Sequence, residues 1–137
     1  MKKKEGRLLQ LLGTNWAREC KGQDVWVNAL KEHIKVLEIR AKQAADFKQF
    51  LYVIDDCRFQ NEFYGFKDQA LTIRLHASAE DRKARCDAWR DDVNHISEID
   101  LDQVEPSEWD LVINTGIISK LQTFNIAMHK ILGRVEL

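Results

Sequence analysis

Leu51-Tyr52-Val53-Ile54-Asp55-Asp56 is the stretch on which the reading of the fold turns. A short apolar run that ends in an acidic pair reads as a buried strand delivering polar side chains at its carboxyl end. Leu71-Thr72-Ile73-Arg74-Leu75 and Leu111-Val112-Ile113 read the same way. The chain between the first two runs is long enough for a crossover, so parallel pairing, or parallel placement with a gap, is allowed.

Outward from these runs the pattern turns helical. Leu8, Leu9, Leu11 and Leu12 form an apolar cluster that Gly13-Thr14 is expected to interrupt, with Thr14 capping a short helix through Cys20 and Lys21-Gly22 closing it. Asp24 is the next N-cap candidate. Val27, Leu30, Ile34, Leu37, Ala41 and Ala44 then recur at spacings of three and four, which predicts an amphipathic helix to about Phe47. From Ala79 to Asn94 the composition is charge-rich, with only Cys86, Trp89 and Val93 as an apolar stripe, as on a surface helix. Ile117, Leu121, Phe124, Met128 and Ile131 predict a packed terminal helix with Gly133 as its stop.

Helices and apolar strands alternate, and no linker rich in proline, glycine or serine divides the chain. An α/β layered single domain over residues 1–137 is the expected fold class. Hydrophobic residues make up 45% of the sequence, with one proline and six glycines, which suits one compact core. Cys20, Cys57 and Cys86 are odd in number and widely spaced, with no Cys-x-x-Cys pair and no signal-like segment, so a soluble protein of a reducing cytoplasm is expected. The net charge of −1 argues against a general nucleic-acid coat, and Lys2-Lys3-Lys4 reads as a solvated helix end.

Polar groups at the carboxyl ends of parallel strands face the crevice where α/β proteins bind ligands, and Asp56 and Arg58 fall there. A carboxylate suits a hard cation, whereas a guanidinium fork matches phosphate. A salt bridge at a strand end is the plainer alternative.

Several segments carry a resemblance. Arg7 to Arg18 (Arg-Leu-Leu-Gln-Leu-Leu-Gly-Thr-Asn-Trp-Ala-Arg) with Asp24-Val-Trp-Val27 is similar to the substrate-side region of the deoxynucleoside monophosphate kinases of tailed phages. Asp56-Cys-Arg-Phe-Gln-Asn-Glu62 is similar to that family's Asp-x-Arg-Phe-x-Asn-Glu motif, His95-Ile-Ser-Glu98 to its His-x-Ser-Glu element, and Asp110 through Asn114-Thr-Gly116 to its last strand and loop. The matches keep the family's order and span Arg7 to Gly116.

The resemblance implies a P-loop kinase fold, here a partial parallel sheet of about three strands with flanking helices. Its regions would be a helical substrate side at 1–50, an α/β core at 51–75 and 110–137, and a lid-like insertion at 76–109. The implied reaction moves the ATP γ-phosphoryl group to a deoxynucleoside monophosphate with Mg2+, in a host cytoplasm. By the same resemblance Arg7 and Arg18 would hold the monophosphate, and Gln10, Trp16 and Trp26 would shape the base and sugar pocket. Asp56 (the metal residue), Arg58 and the lid residues Arg82 and Arg85 would act at the transferring group. Asn61, Glu62, His95, Ser97, Glu98 and Asn114 would complete the substrate side.

Each has a rival role. Trp26 suits a core, the lid arginines are balanced by Glu80, Asp81, Asp87, Asp91 and Asp92, and Asn114 with Thr115 could cap the last helix. His95, Ser97 and Glu98 also read as polar elements ordering the return of the lid.

Nothing in the sequence matches Gly-x-x-x-x-Gly-Lys-[Ser/Thr], the loop whose backbone N–H groups cradle ATP phosphates. The first strand and that loop are therefore expected to be missing, leaving residues 51–54 and 71–75 either to pair directly or to expose edges. A chain inactive by itself, assembled as a homodimer or complemented by another chain carrying the loop, follows. A nucleotide-sequestering protein and a protein-interaction relative are the alternatives.

Overall fold

The computed structural model describes residues 8, 11–43, 50–86 and 95–134. They form a mixed α/β structure with a two-stranded parallel sheet. Where the sequence reading expects a single domain, contacts gather into two compact units, Met1–Gly65 and Phe66–Leu137.

In the first unit a π-helical stretch, Leu11–Trp16, runs without interruption into helix α1 (Ala17–Lys21). The expected break at Gly13-Thr14 is absent, and the residue before α1 is Trp16, in helical geometry with no side-chain cap. A glycine inside a helix costs only about 1 kcal/mol, and the Gly13 carbonyl gains the indole N–H of Trp26 at 2.8 Å. Gly22 closes α1 as anticipated. Its φ of 101° is open to glycine, and its N–H returns to the Arg18 carbonyl at 3.1 Å.

Helix α2 (Val25–Gln43) follows the predicted periodicity, with Val27 and Ala41 buried and Leu30, Ile34 and Leu37 half-buried. The predicted extension to Ala44 and Phe47 falls outside the described residues. Residues 51–54 correct the sequence reading, because they form no strand and pair with no other described segment. Leu51 and Val53 are 67% and 78% exposed rather than buried. An apolar run becomes a strand only where a ladder partner takes its backbone groups, and the described residues supply none. An unanticipated helix, α3 (Gln60–Phe66), then buries Phe63, and Gly65 lies close against the Val27 side chain.

In the second unit β1 (Ile73–His76) pairs in parallel with β2 (Leu111–Asn114), with Ile73 opposite Leu111 and His76 opposite Asn114. Both strands coincide with predicted apolar runs. Between them lie α4 (Ala79–Ala84), α5 (Ile96–Ile99) and two 3-10 turns, Asp100–Gln103 and Pro106–Glu108. The charge-rich helix predicted to Asn94 ends already at Ala84, with Arg85 as its C-cap and exposed Cys86 beyond it, and Trp89, Arg90 and Val93 lie outside the described residues. Val104, 1% exposed, and Ile113 anchor the apolar interior of this unit.

Helix α6 (Lys120–Leu132) begins at Ser119, not at Asn114 or Thr115. Ser119 and Gln122 exchange reciprocal side-chain-to-backbone bonds, which satisfies otherwise orphaned N–H groups. Gly133 stops it, as expected. The packing differs from expectation: Ile117, Leu121 and Phe124 are exposed, whereas Met128 and Ile131 are half-buried. A helix of this length rises about 20 Å, but two strands span only about 5 Å across.

Candidate functional site

The segment Asp56–Glu62 is organised by the carboxylate of Glu62, in the first turn of α3. Its Oε2 accepts the backbone N–H groups of Arg58 at 2.8 Å and Phe59 at 3.1 Å. Phe59 precedes the helix, so Glu62 supplies the acidic half of a capping box and sits where a helix end favours negative charge. Phe59 offers no capping side chain, so the usual Ser/Thr/Asp/Asn-x-x-Glu signature of a helix start is missing and α3 was not legible in the sequence.

The other oxygen, Oε1, takes the Nη2 of Arg18 in an ion pair. Arg18 Nη1 donates to Asn61 Oδ1 at 3.0 Å and to the Gln23 carbonyl at 2.9 Å. Asn61 donates in turn to the Gln23 carbonyl and to Asp24 Oδ1. Phe59 closes the arrangement, its ring centroid 3.7 Å from the Arg18 guanidinium carbon, a favourable cation–π contact. Arg18 is only 3% exposed, and its buried Nε has no hydrogen-bond partner among the described residues. The local chain explains this placement: Gly22 ends α1 and returns the backbone so that Gln23 and Asp24 meet Asn61.

Asp56 and Arg58 stand on the outer side of the same turn. Arg58 Nε donates to Asp56 Oδ1 at 2.5 Å, and both side chains are about half or more exposed. Cys57 between them is half-buried, and burial, with the Glu62 and Asp56 charges, pushes its thiol up to about 11.

In the second unit the carboxyl ends of β1 and β2 gather another set. The His76 carbonyl accepts from Thr115 N at 2.7 Å and Thr115 Oγ1 at 3.0 Å. Arg85 Nη2 donates to the Thr115 carbonyl at 2.5 Å. Asn114 Oδ1 accepts from Gly116 N at 2.9 Å, an Asx turn that ends the strand. Ser78 caps α4, accepting from Asp81 N and donating to Asp81 Oδ2. Arg82 is exposed on α4.

His95 caps α5 through Nδ1, which accepts from Ser97 N at 3.2 Å and lies 2.8 Å from Ser97 Oγ. Ser97 is buried and Glu98 exposed beside it. The sequence reading missed two clusters here. Arg74 ties β1 to the following segment through the Leu101 carbonyl and Asp102. Asp110 accepts the backbone and hydroxyl of Thr72, both at 2.8 Å, and those bonds with Arg134 and Lys130 hold its carboxyl below the usual range. For the Thr72–Asp110 cluster, a polar residue directly before each strand was the available signal.

The structure thus brings Arg18, Asn61, Glu62, Asp56 and Arg58 together in the first unit, and Arg85 and Asn114 to one strand end in the second. Trp16 is exposed, and Trp26 is held by its bond to Gly13. Arg7 and Gln10 lie outside the described residues. Asp56 alone, engaged by Arg58, fits Mg2+ only as one carboxylate beside substrate phosphates, since that ion takes one or two carboxylates and keeps several waters. The described residues hold no cluster of three metal-ligating side chains. Residues 1–137 contain no Gly-x-x-x-x-Gly-Lys-[Ser/Thr] motif. No described helix is long and apolar enough to cross a membrane. No family model, no curated protein and no solved structure matches the chain.

Proposed function

We propose that this chain is a relative of the phage-type deoxynucleoside monophosphate kinases, that it binds a deoxynucleoside monophosphate at the Asp56–Glu62 turn, and that it does not transfer phosphate by itself. One observation carries the reading. Two segments that resemble the family separately, one containing Arg18 and the other Asn61 and Glu62, bond directly to each other. Next to that contact stands Arg58, bonded to Asp56 and about half exposed, with a guanidinium of the kind suited to a phosphate.

The fold proposed with this function is P-loop-kinase-like. It draws support from the parallel pairing of β1 with β2 across the intervening helices. Absence of the glycine-rich loop motif from residues 1–137 removes the backbone cradle that positions ATP, so the chain alone is proposed to be inactive.

Thermal-shift titration with each of the four deoxynucleoside monophosphates and with ATP tests the proposal. At least one monophosphate is expected to saturate and to stabilise by about 2.7 kcal/mol at ~100 times its dissociation constant. Arg58→Ala should abolish that shift. Absence of any monophosphate shift in the wild type overturns the function, and robust ADP release in a coupled assay overturns the inactivity clause.

The exposed apolar side chains of Phe50, Leu51, Val53 and Ile54 favour a second, protein-binding reading. Under it the chain works as a homodimer or with a complementing chain that carries the phosphate loop. Light scattering that finds a strict monomer at all concentrations removes the homodimer.

A further inference from the structure

We propose that Arg18 is a positioning residue: acting through Glu62, it sets the main chain at Arg58 and Phe59 and so the outward presentation of Asp56 and Arg58. The inference reassigns Arg18 from phosphate ligand to the framework behind the ligand. It rests on the monophosphate reading only for what the turn holds.

A side chain that grips a phosphate must present donors outward. Arg18 does the reverse, being 3% exposed with Nη1 on Gln23 and Asn61, Nη2 on Glu62 and its face on Phe59. Glu62 divides its carboxylate, giving one oxygen to Arg18 and the other to the backbone N–H groups of Arg58 and Phe59. The guanidinium therefore fixes the rotation of the carboxylate, and the carboxylate fixes the turn. Asn61 adds a brace, since it holds Arg18 with its oxygen and Gln23 and Asp24 with its nitrogen.

Lysine could supply the charge but not the planar fork that reaches Glu62, Asn61 and Gln23 together. Glutamine at 62 has one acceptor and one donor group, so either Arg18 or the backbone would meet an NH2.

The test compares wild type with Arg18→Lys, Arg18→Met and Glu62→Gln. Iodoacetamide labelling is followed peptide by peptide, with Cys57 as reporter of the turn and exposed Cys86 as internal control. Arg18→Met should raise Cys57 labelling about tenfold, with Cys86 unchanged and Arg18→Lys intermediate. Amide exchange should accelerate at Arg58 and Phe59 but not in α6, which separates a local effect from general loosening. A folded Arg18→Met variant whose Cys57 labelling stays within about twofold of wild type overturns the proposal. Should that variant fail to fold, Glu62→Gln decides by the same criterion.

Titration with the four monophosphates gives the second readout. Loss of affinity across the variants should track the rise in Cys57 labelling. Lost affinity with unchanged labelling would make Arg18 a direct ligand and overturn the inference. Should wild type bind no monophosphate, the proposed function fails while the labelling still decides the role of Arg18.

Discussion

Arg18 and Glu62 lie 44 positions apart in sequence and form an ion pair whose side chains are 3% and 17% exposed. Removing one member of such a pair leaves the other charged and poorly solvated, whereas an exposed pair contributes little. Arg18→Met is expected to destabilise by about 3 kcal/mol in urea denaturation, and Arg18→Lys by less. A loss below about 0.5 kcal/mol would mean that the pair is dispensable.

Gly65 is a packing requirement rather than a conformational one. A Cβ there would stand 2.8 Å from Val27 Cγ1, and Val27 is itself buried. Alanine in a helix gains about 1 kcal/mol over glycine, but overpacking costs about 1–3 kcal/mol. Gly65→Ala should therefore destabilise wild type and stabilise a Val27→Ala background. Equal effects in both backgrounds, measured by a double-mutant cycle, would refute the contact.

Cys57 should be the slow thiol. Burial first, then the Glu62 and Asp56 charges, raise it from 9.0 to about 11, and only the thiolate reacts. At neutral pH exposed Cys20 and Cys86 should alkylate well before it, and its rate should climb through pH 11. Linkage gives the sign for stability: above pH 9 the unfolded thiol ionises while the folded one keeps its proton, so stability falls between pH 9 and about 11. A Cys57→Ser variant that shows the same alkaline decline would assign that limb elsewhere.

Asp110 governs part of the acid limb. Its carboxyl is depressed first by the Thr72 backbone bond, then by the Thr72 hydroxyl and by Arg134 and Lys130, against a raising contribution from burial. A depressed carboxyl contributes stability above its unfolded value of about 4, and that contribution is lost as pH falls through the lower folded value. The melting temperature of Asp110→Asn should decline less steeply than wild type below about pH 4. Parallel acid limbs would show that the Thr72 bonds do not stabilise the carboxylate.

Legibility in the sequence varied with what each signal measures. The stripe from Val27 to Ala41 was readable because its periodicity matches the face it buries, and the apolar runs at 71–75 and 111–113 overlap the two strands that pair with each other. The run at 51–54 has the same apolar character but takes no strand partner among the described residues, and composition carries no information about a partner. Ile117, Leu121 and Phe124 mark a face able to be covered, not one that is.

The candidate site was legible as a set of residue types but not as an arrangement. Arg18 and the 56–62 segment stood out, yet only coordinates show the guanidinium turned inward onto Phe59, Asn61 and Glu62. Long-range pairing leaves no period in a sequence. The Ser119–Gln122 cap was a local signal that Asn114 and Thr115 obscured, since all three residue types serve as caps.

Gly116 is the spacer that lets the end of β2 lie against the start of α4. A Cβ there would fall 2.4 Å from Asp81 Oδ2, the oxygen that the Ser78 hydroxyl keeps in place, and 3.1 Å from Asn114 Oδ1. A side chain at 116 would oblige the Asp81 carboxylate to rotate away and give up its bond to the Ser78 hydroxyl.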